Sequence, residues 1–334
     1  METAHRLRVL VGLPARLGQI VAGAALPKLY SAHPNVQVEV TDDPESFAAT
    51  GQEADGVILA SPPFRISPQW LAPVGRLRWI QSIPAGVDSL LTPDLKAARQ
   101  VIITATKGPM GPLMAEHVVL LMLALARSLP GFLQDQAERR WRHMRDEWPM
   151  TQLFEKTIVI LGVGAVGGNL ARICQAGFGM RVLGLAHTRR DNPFVNRYFD
   201  RDELHAALAE ADVVALCMAL TPATRRIIDQ AALAVMKPTA LLVNVARGGL
   251  VDEEALAAAL RSGRLAGAGL DATAVEPLPA GSPLWEIPNV IITPHVAPAR
   301  DRLNEHIIDF WCDNIRRFAE GQPLLGVVDR DAGY

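Results

Sequence analysis

The segment Gly162-Val163-Gly164-Ala165-Val166-Gly167 directly follows an apolar run, Thr157 to Leu161, and opens a stretch of helical periodicity reaching about Ala176. Glycines at this spacing, between a strand and a helix, form the turn of a dinucleotide-binding βαβ unit. Gly162 permits the tight turn, Gly164 lets backbone approach a pyrophosphate, and Gly167 lets helix and strand pack closely. Ala165 and Val166 then begin a helix whose free amides and positive dipole end suit phosphate. A glycine-rich turn made for packing alone is the plainer alternative.

The rest of the chain alternates in the same way. Strands are predicted at 6–13, 36–40, 54–60, 76–82 and 100–106, and again at 157–162, 181–186, 211–218, 239–246, 265–272 and 289–294. Helices are predicted at 114–129, 132–145 and 301–319. Strand, crossover, strand repeated like this means parallel sheets covered on both faces. A length of 334 residues suits two domains, and 49% apolar residues can fill two cores. Aromatics are only 5% while Gly and Pro number 26 and 24, as many short elements and turns require. The expected fold is α/β, with two doubly wound parallel-sheet domains. The helix at 301–319 follows completion of the second sheet and is free to pack elsewhere.

Charge and cysteines exclude several function classes. With 33 Lys+Arg against 35 Asp+Glu, the chain lacks an electrostatic footprint for nucleic acid or an anionic membrane. Cys174, Cys217 and Cys312 form no CxxC pair, so neither a disulfide framework nor a metal site is encoded. The longest apolar run, Val118 to Ala126, is under half of the roughly 20 residues a membrane span needs. The N-terminus reads as a first strand rather than a signal peptide, so a cytoplasmic location is expected.

In NAD-binding units the second strand commonly ends in a carboxylate that bonds the ribose hydroxyls. Here that place falls on Ala186, followed by His187, Thr188, Arg189 and Arg190. A missing carboxylate beside two arginines favours a 2′-phosphate, so NADP(H) is expected, with NAD(H) as the alternative. A solvated loop edge would look the same. Among the histidines, His117 opens an apolar helix and reads as a satisfied core residue. His295 follows a β-run and a proline at a strand end, where the ligand crevice of an open sheet lies. The residues alone leave it open between a structural role and a proton-carrying one.

Several longer motifs carry a resemblance. Residues 244–297, from NVARGGLVDEEAL to NVIITPHVA, resemble the signature region of the D-isomer-specific 2-hydroxyacid dehydrogenases. GVGAVGG resembles that family's cofactor turn, TKGPMGPLMAEHVVLLMLALAR its dimerisation helix, and RLRWIQSIPAGVDSL its substrate loop. The resemblance implies a catalytic trio of Arg247, Glu276 and His295. Arg247 would hold the substrate carboxylate and carbonyl oxygen, and His295 would exchange a proton with that oxygen. Glu276 would orient the ring. It further implies backbone contacts from Ala85 and Gly86 to the substrate, and a contact from Asp271 to the nicotinamide carboxamide. Met114, Thr221, Val245 and Ala246 would line the cofactor with Arg247 and His295.

The family's organisation implies a substrate domain of residues 1–105 and 297–334 around a dinucleotide-binding domain of residues 106–296, with the active site in the cleft between them. Helix 114–129, taken as apolar and outside both cores, is expected to make a two-fold homodimer contact. Ala105, and the small trio Ala272-Thr273-Ala274, depart from the family's usual residues and leave substrate size open. The reading is an NADPH-preferring reductase of small 2-oxo acids such as glyoxylate or hydroxypyruvate. Its alternatives are an NAD-dependent D-2-hydroxyacid dehydrogenase and, in a different class, a dinucleotide-sensing interaction protein.

Overall fold

Valine, isoleucine and leucine concentrate in short runs along the chain, the composition of strands buried on both faces. In the computed structural model, which describes residues 6–14, 25–141, 148–189, 191–298 and 303–334, these runs become strands of two sheets. β1 (Leu7–Gly12), β2 (Val36–Thr41), β3 (Gly56–Leu59), β4 (Trp79–Ser82) and β5 (Ile102–Ala105) form a parallel sheet in the order β2-β1-β3-β4-β5. β6 (Thr157–Leu161), β7 (Arg181–Leu185), β8 (Arg197–Phe199), β9 (Val213–Leu216), β10 (Leu241–Asn244), β11 (Gly267–Leu270) and β12 (Val290–Ile292) form the second. Its order is β12-β11-β10-β9-β6-β7-β8, again parallel throughout. Two compact α/β units result, Met1–Pro109 with Arg300–Tyr334, and Met110–Ala299.

In the first unit the helix Leu303–Ala319 returns to the N-terminal sheet. Its Ile307, Ile308, Trp311 and Ile315 pack with Val9, Val11, Ile58 and Trp79. Buried polar groups fix its register. Gln81 Oε1 accepts from Asn314 Nδ2 at 2.9 Å and from Thr104 Oγ1 at 2.8 Å, while Trp311 Nε1 donates to Thr106 Oγ1 at 3.0 Å. Just past β4, Ser82 Oγ donates to the Pro84 carbonyl at 2.9 Å and shapes the loop that carries Ala85 and Gly86.

In the second unit the strand order reverses between β6 and β9, which makes the carboxyl ends of those strands the switch point where ligands of open α/β sheets bind. The helix Gly111–Ala126 buries Ala115, Val118, Leu121, Met122 and Leu125 in this unit's core. Gly269 of β11 lies so close that a Cβ there would sit 2.9 Å from Leu121.

This corrects the expectation of one helix over 114–129 lying outside both cores. The helix starts earlier because Pro112 falls in its first turn, where no backbone bond is lost. It stops at Ala126. Ser128 adopts a left-handed φ of 50° and a new helix, Leu129–Ala137, begins with Pro130 in its first turn. The later part of the segment expected at 132–145 lies outside the described residues. Leu120 and Leu123, on the outer side of the first of these helices, are exposed. Among the described residues no single helix is long and apolar enough to cross a membrane. The edge strand β8 is an addition to the expected set.

Candidate active site

The glycine turn begins where β6 ends. Gly162 has φ 98°, and a Cβ on it would lie 2.7 Å from the backbone of Met218, just beyond β9, so the turn closes at the switch point itself. A Cβ on Gly167 would stand 2.1 Å from the Gly162 carbonyl oxygen and 2.9 Å from Ile160 Cγ2. Gly164 is different: a Cβ there would meet nothing within 4 Å. The helix Ala165–Phe178 that follows has no side-chain cap. An open approach to uncapped amides at a helix start fits a pyrophosphate.

Two to four strands away in the sheet, the ends of β10, β11 and β12 carry the polar groups. Asn244 closes β10, with Oδ1 accepting from Ala246 N at 3.0 Å and Nδ2 donating to the Arg247 carbonyl at 2.9 Å. Arg247 is half-buried, and its Nη1 donates to the Ala246 carbonyl at 2.9 Å. The adjacent Gly248 presses on the turn after β11, where a Cβ would sit 1.9 Å from the Thr273 carbonyl carbon. In that turn Thr273 N donates to Glu276 Oε1 at 3.1 Å, and Ala274 N donates to Glu253 Oε1 at 2.5 Å. Burial raises the Glu253 carboxyl above its ordinary range; the Ala274 amide opposes this and the Glu276 charge adds to it.

His295 sits beyond β12 with φ 53°, and its Nδ1 is 2.8 Å from Glu276 Oε2. The two side chains are 41% and 40% exposed. With Nδ1 engaged by a carboxylate, any proton exchange by the ring would use Nε2. A second carboxylate, Asp271, accepts from Thr293 Oγ1 at 2.6 Å and from Val296 N and Ala297 N at 2.9 Å each.

A dinucleotide turn and a histidine–carboxylate pair therefore occupy the carboxyl edge of one sheet. Residues 119–297 match the family model of the D-isomer specific 2-hydroxyacid dehydrogenase NAD binding domain. Over 280 residues the chain is 34% identical to glyoxylate/hydroxypyruvate reductase B of Pectobacterium carotovorum, covering 83% of this chain and 86% of that one. A D-isomer specific 2-hydroxyacid dehydrogenase of Xanthobacter autotrophicus Py2, solved with NADPH and MES, superposes with a TM-score of 0.81 at 32% identity, covering 98% of this chain and 100% of that one. An NADPH-dependent glyoxylate/hydroxypyruvate reductase of Sinorhizobium meliloti, solved with NADP and sulfate, gives a TM-score of 0.80 at 29% identity, covering 98% and 100%.

The chain belongs to the D-isomer specific 2-hydroxyacid dehydrogenases.

It is thus an NAD(P)-dependent 2-hydroxyacid dehydrogenase with a nicotinamide dinucleotide cofactor and a small hydroxyacid substrate. In this dehydrogenase Ala186, half-buried, comes directly after β7, and His187, Thr188 and Arg189 follow it exposed. Arg189 Nη2 pairs with Asp200 Oδ2 at 2.6 Å, and Arg190 lies outside the described residues. Thr221 forms a hydroxyl turn with Thr224 beyond β9, Val245 is buried, and Met114 is half-buried on the helix Gly111–Ala126. Ala85 and Gly86 belong to the first unit, whereas Arg247, Glu276 and His295 belong to the second.

The Asp271 side chain is fully covered, and its oxygens accept from the turn that carries His295. Sequence reasoning passed over Asn244, Glu253 and Thr293. Asn244 was the most accessible of these, because asparagine at a strand end before Ala-Arg-Gly-Gly is an Asx-turn signal.

Proposed function

We propose that this dehydrogenase is an NADPH-preferring reductase of small 2-oxo acids, glyoxylate and hydroxypyruvate among them. The observation that carries the reading is the 2.8 Å contact of His295 Nδ1 with Glu276 Oε2, at the same sheet edge as the Gly162 turn. The names of the relatives from Pectobacterium and Sinorhizobium support the substrate class, and the neighbours solved with NADPH and with NADP support the cofactor form.

Gly162, Gly164, Ala165, Val166 and Gly167 would hold the pyrophosphate, with Met114, Thr221, Val245 and Ala246 along the rest of the dinucleotide. His187, Thr188, Arg189 and Arg190 would receive a 2′-phosphate. The cofactor, when bound, supplies the hydride. Arg247, with its planar paired donors, holds the substrate carboxylate and carbonyl oxygen. His295 donates the Nε2 proton to the carbonyl oxygen as it becomes an alkoxide, and takes it back in the reverse direction. Glu276 orients the ring through Nδ1.

An NAD-dependent enzyme oxidising a D-2-hydroxy acid is the second reading, favoured by the Arg189–Asp200 pair, which sets a carboxylate beside the cation meant for a 2′-phosphate. Initial rates with NADPH and NADH, against 2-oxo acids graded by side-chain size, decide between them. A kcat/KM about tenfold or more in favour of NADH overturns the NADPH preference. Turnover of no 2-oxo acid, with cofactor still bound, would move the chain to the interaction-protein class. A two-fold homodimer joined through the exposed Leu120 and Leu123 side of the helix Gly111–Ala126 is part of the same proposal.

A further inference from the structure

A histidine holds a left-handed φ of 53° only when its surroundings over-determine the turn. For His295 that constraint comes from one covered carboxylate. Asp271 gathers the Thr293 hydroxyl, the Val296 amide and the Ala297 amide, which is to say the residues on both sides of His295. The Thr293 hydroxyl has one proton, and an ionised carboxylate can only accept. That proton therefore points at Asp271 Oδ1, leaving Thr293 Oγ1 as an acceptor. His117 fills the place: its Nε2 lies 3.0 Å from Thr293 Oγ1 and 3.5 Å from Asp271 Oδ1. In this arrangement His117 donates from Nε2 to Thr293 Oγ1. His117 stands on the core helix Gly111–Ala126, and its side chain is only 12% exposed.

We propose that His117 is a positioning residue for the reaction. Through Thr293 it locks the hydroxyl that anchors Asp271, and so holds the turn that presents His295 to Glu276 and to substrate. The inference rests on the proposed role of His295 as proton carrier.

The test compares His117→Leu, His117→Gln, Thr293→Val and the His117→Leu/Thr293→Val double variant in the full chain, measuring kcat and the KM for NADPH and for the 2-oxo acid. A misplacement of about 1 Å at a reacting group can cost about 10²-fold, so His117→Leu and Thr293→Val should each lower kcat by about fivefold or more, with both KM values within about threefold. His117→Gln keeps an N–H donor at similar reach and should stay within about threefold of the parent. The double variant should fall no further than the worse single one, because both remove the same link. A smaller loss in kcat for Thr293→Val, a Gln variant as impaired as Leu, or multiplying losses would each overturn the proposal. Thr293→Val preserves shape and decides the matter alone if His117→Leu does not fold. His295→Ala separates the two readings. If it keeps full kcat, the site assignment fails; if it is inactive while His117→Leu is unimpaired, only the positioning role fails.

Discussion

His295 Nδ1 meets Glu276 Oε2 at 2.8 Å, although the two residues stand on turns that follow different strands, β12 and β11. Both side chains are substantially exposed, so their mutual attraction is screened and contributes little to stability. The contact matters for the orientation of the ring. His295→Ala should reduce kcat for 2-oxo acid reduction by roughly 10²–10⁴-fold, the usual span for a lost acid–base group. The Kd for NADPH, read by fluorescence titration, should stay within about threefold of the parent. An unchanged kcat would sink the assignment.

Arg189 bears on cofactor choice. It is exposed and already paired with Asp200, so a 2′-phosphate must compete for it. Arg189→Ala should lower kcat/KM for NADPH by about tenfold, a charge-assisted contact, and leave NADH within about twofold. Equal losses with both cofactors would remove Arg189 from the 2′-phosphate site.

Two glycines of one turn should respond in opposite ways. At Gly167 a methyl group would press on the Gly162 carbonyl at 2.1 Å, so Gly167→Ala should destabilise the fold by about 1–3 kcal/mol in urea unfolding. At Gly164 a methyl group meets only open space, so Gly164→Ala should leave the urea midpoint unchanged while weakening NADPH binding. Equal stability losses at the two positions would contradict the geometry.

Glu253 carries a stability prediction with a definite sign. Its carboxyl is raised above the ordinary 4.5, by burial first and by the Glu276 charge in addition, against the pull of the Ala274 amide. A carboxyl raised in the folded state adds stability below its unfolded pKa and loses it as pH rises through the folded value. Charged Glu253 therefore opposes folding at pH 7. Glu253→Gln keeps the acceptor for Ala274 and removes the charge, so it should raise Tm by about 1–3 °C at pH 7 and by nothing near pH 4. A gain that persists undiminished to pH 4 would refute this account.

What could be read from the chain was what depends on neighbours in sequence. The Gly162 turn was legible because a positive φ, an open approach and a close packing contact each demand glycine at a fixed spacing. The strand β8 was not, since Arg197-Tyr198-Phe199 is too short for an alternation to register, and its guanidinium lies over its own strand's Phe199 ring at 4.0 Å. The break before Leu129 was hidden by unbroken apolarity, though Pro130 marked it. Reading His117 as a buried, satisfied histidine agrees with its 12% side-chain exposure and its bond to Thr293. That partner lies 176 residues away, and no local pattern points to it. Asp271 illustrates the same limit, because its donors come from a turn that only the completed sheet brings to it.

Gln81 and Asn314 are 233 residues apart, and their hydrogen bond joins the two ends of the first unit with the whole second unit between them in sequence. During synthesis those ends leave the ribosome far apart in time. Strands β1 to β5 emerge first, yet Ile307, Trp311 and Ile315, which cover Val9 and Trp79, follow only after residues 110–299 have been made. The contiguous unit folds when it emerges, and the earlier one waits for its own C-terminus with an apolar sheet face uncovered. A message cut short before residue 303 would therefore yield a client for chaperones and proteases rather than half of an enzyme.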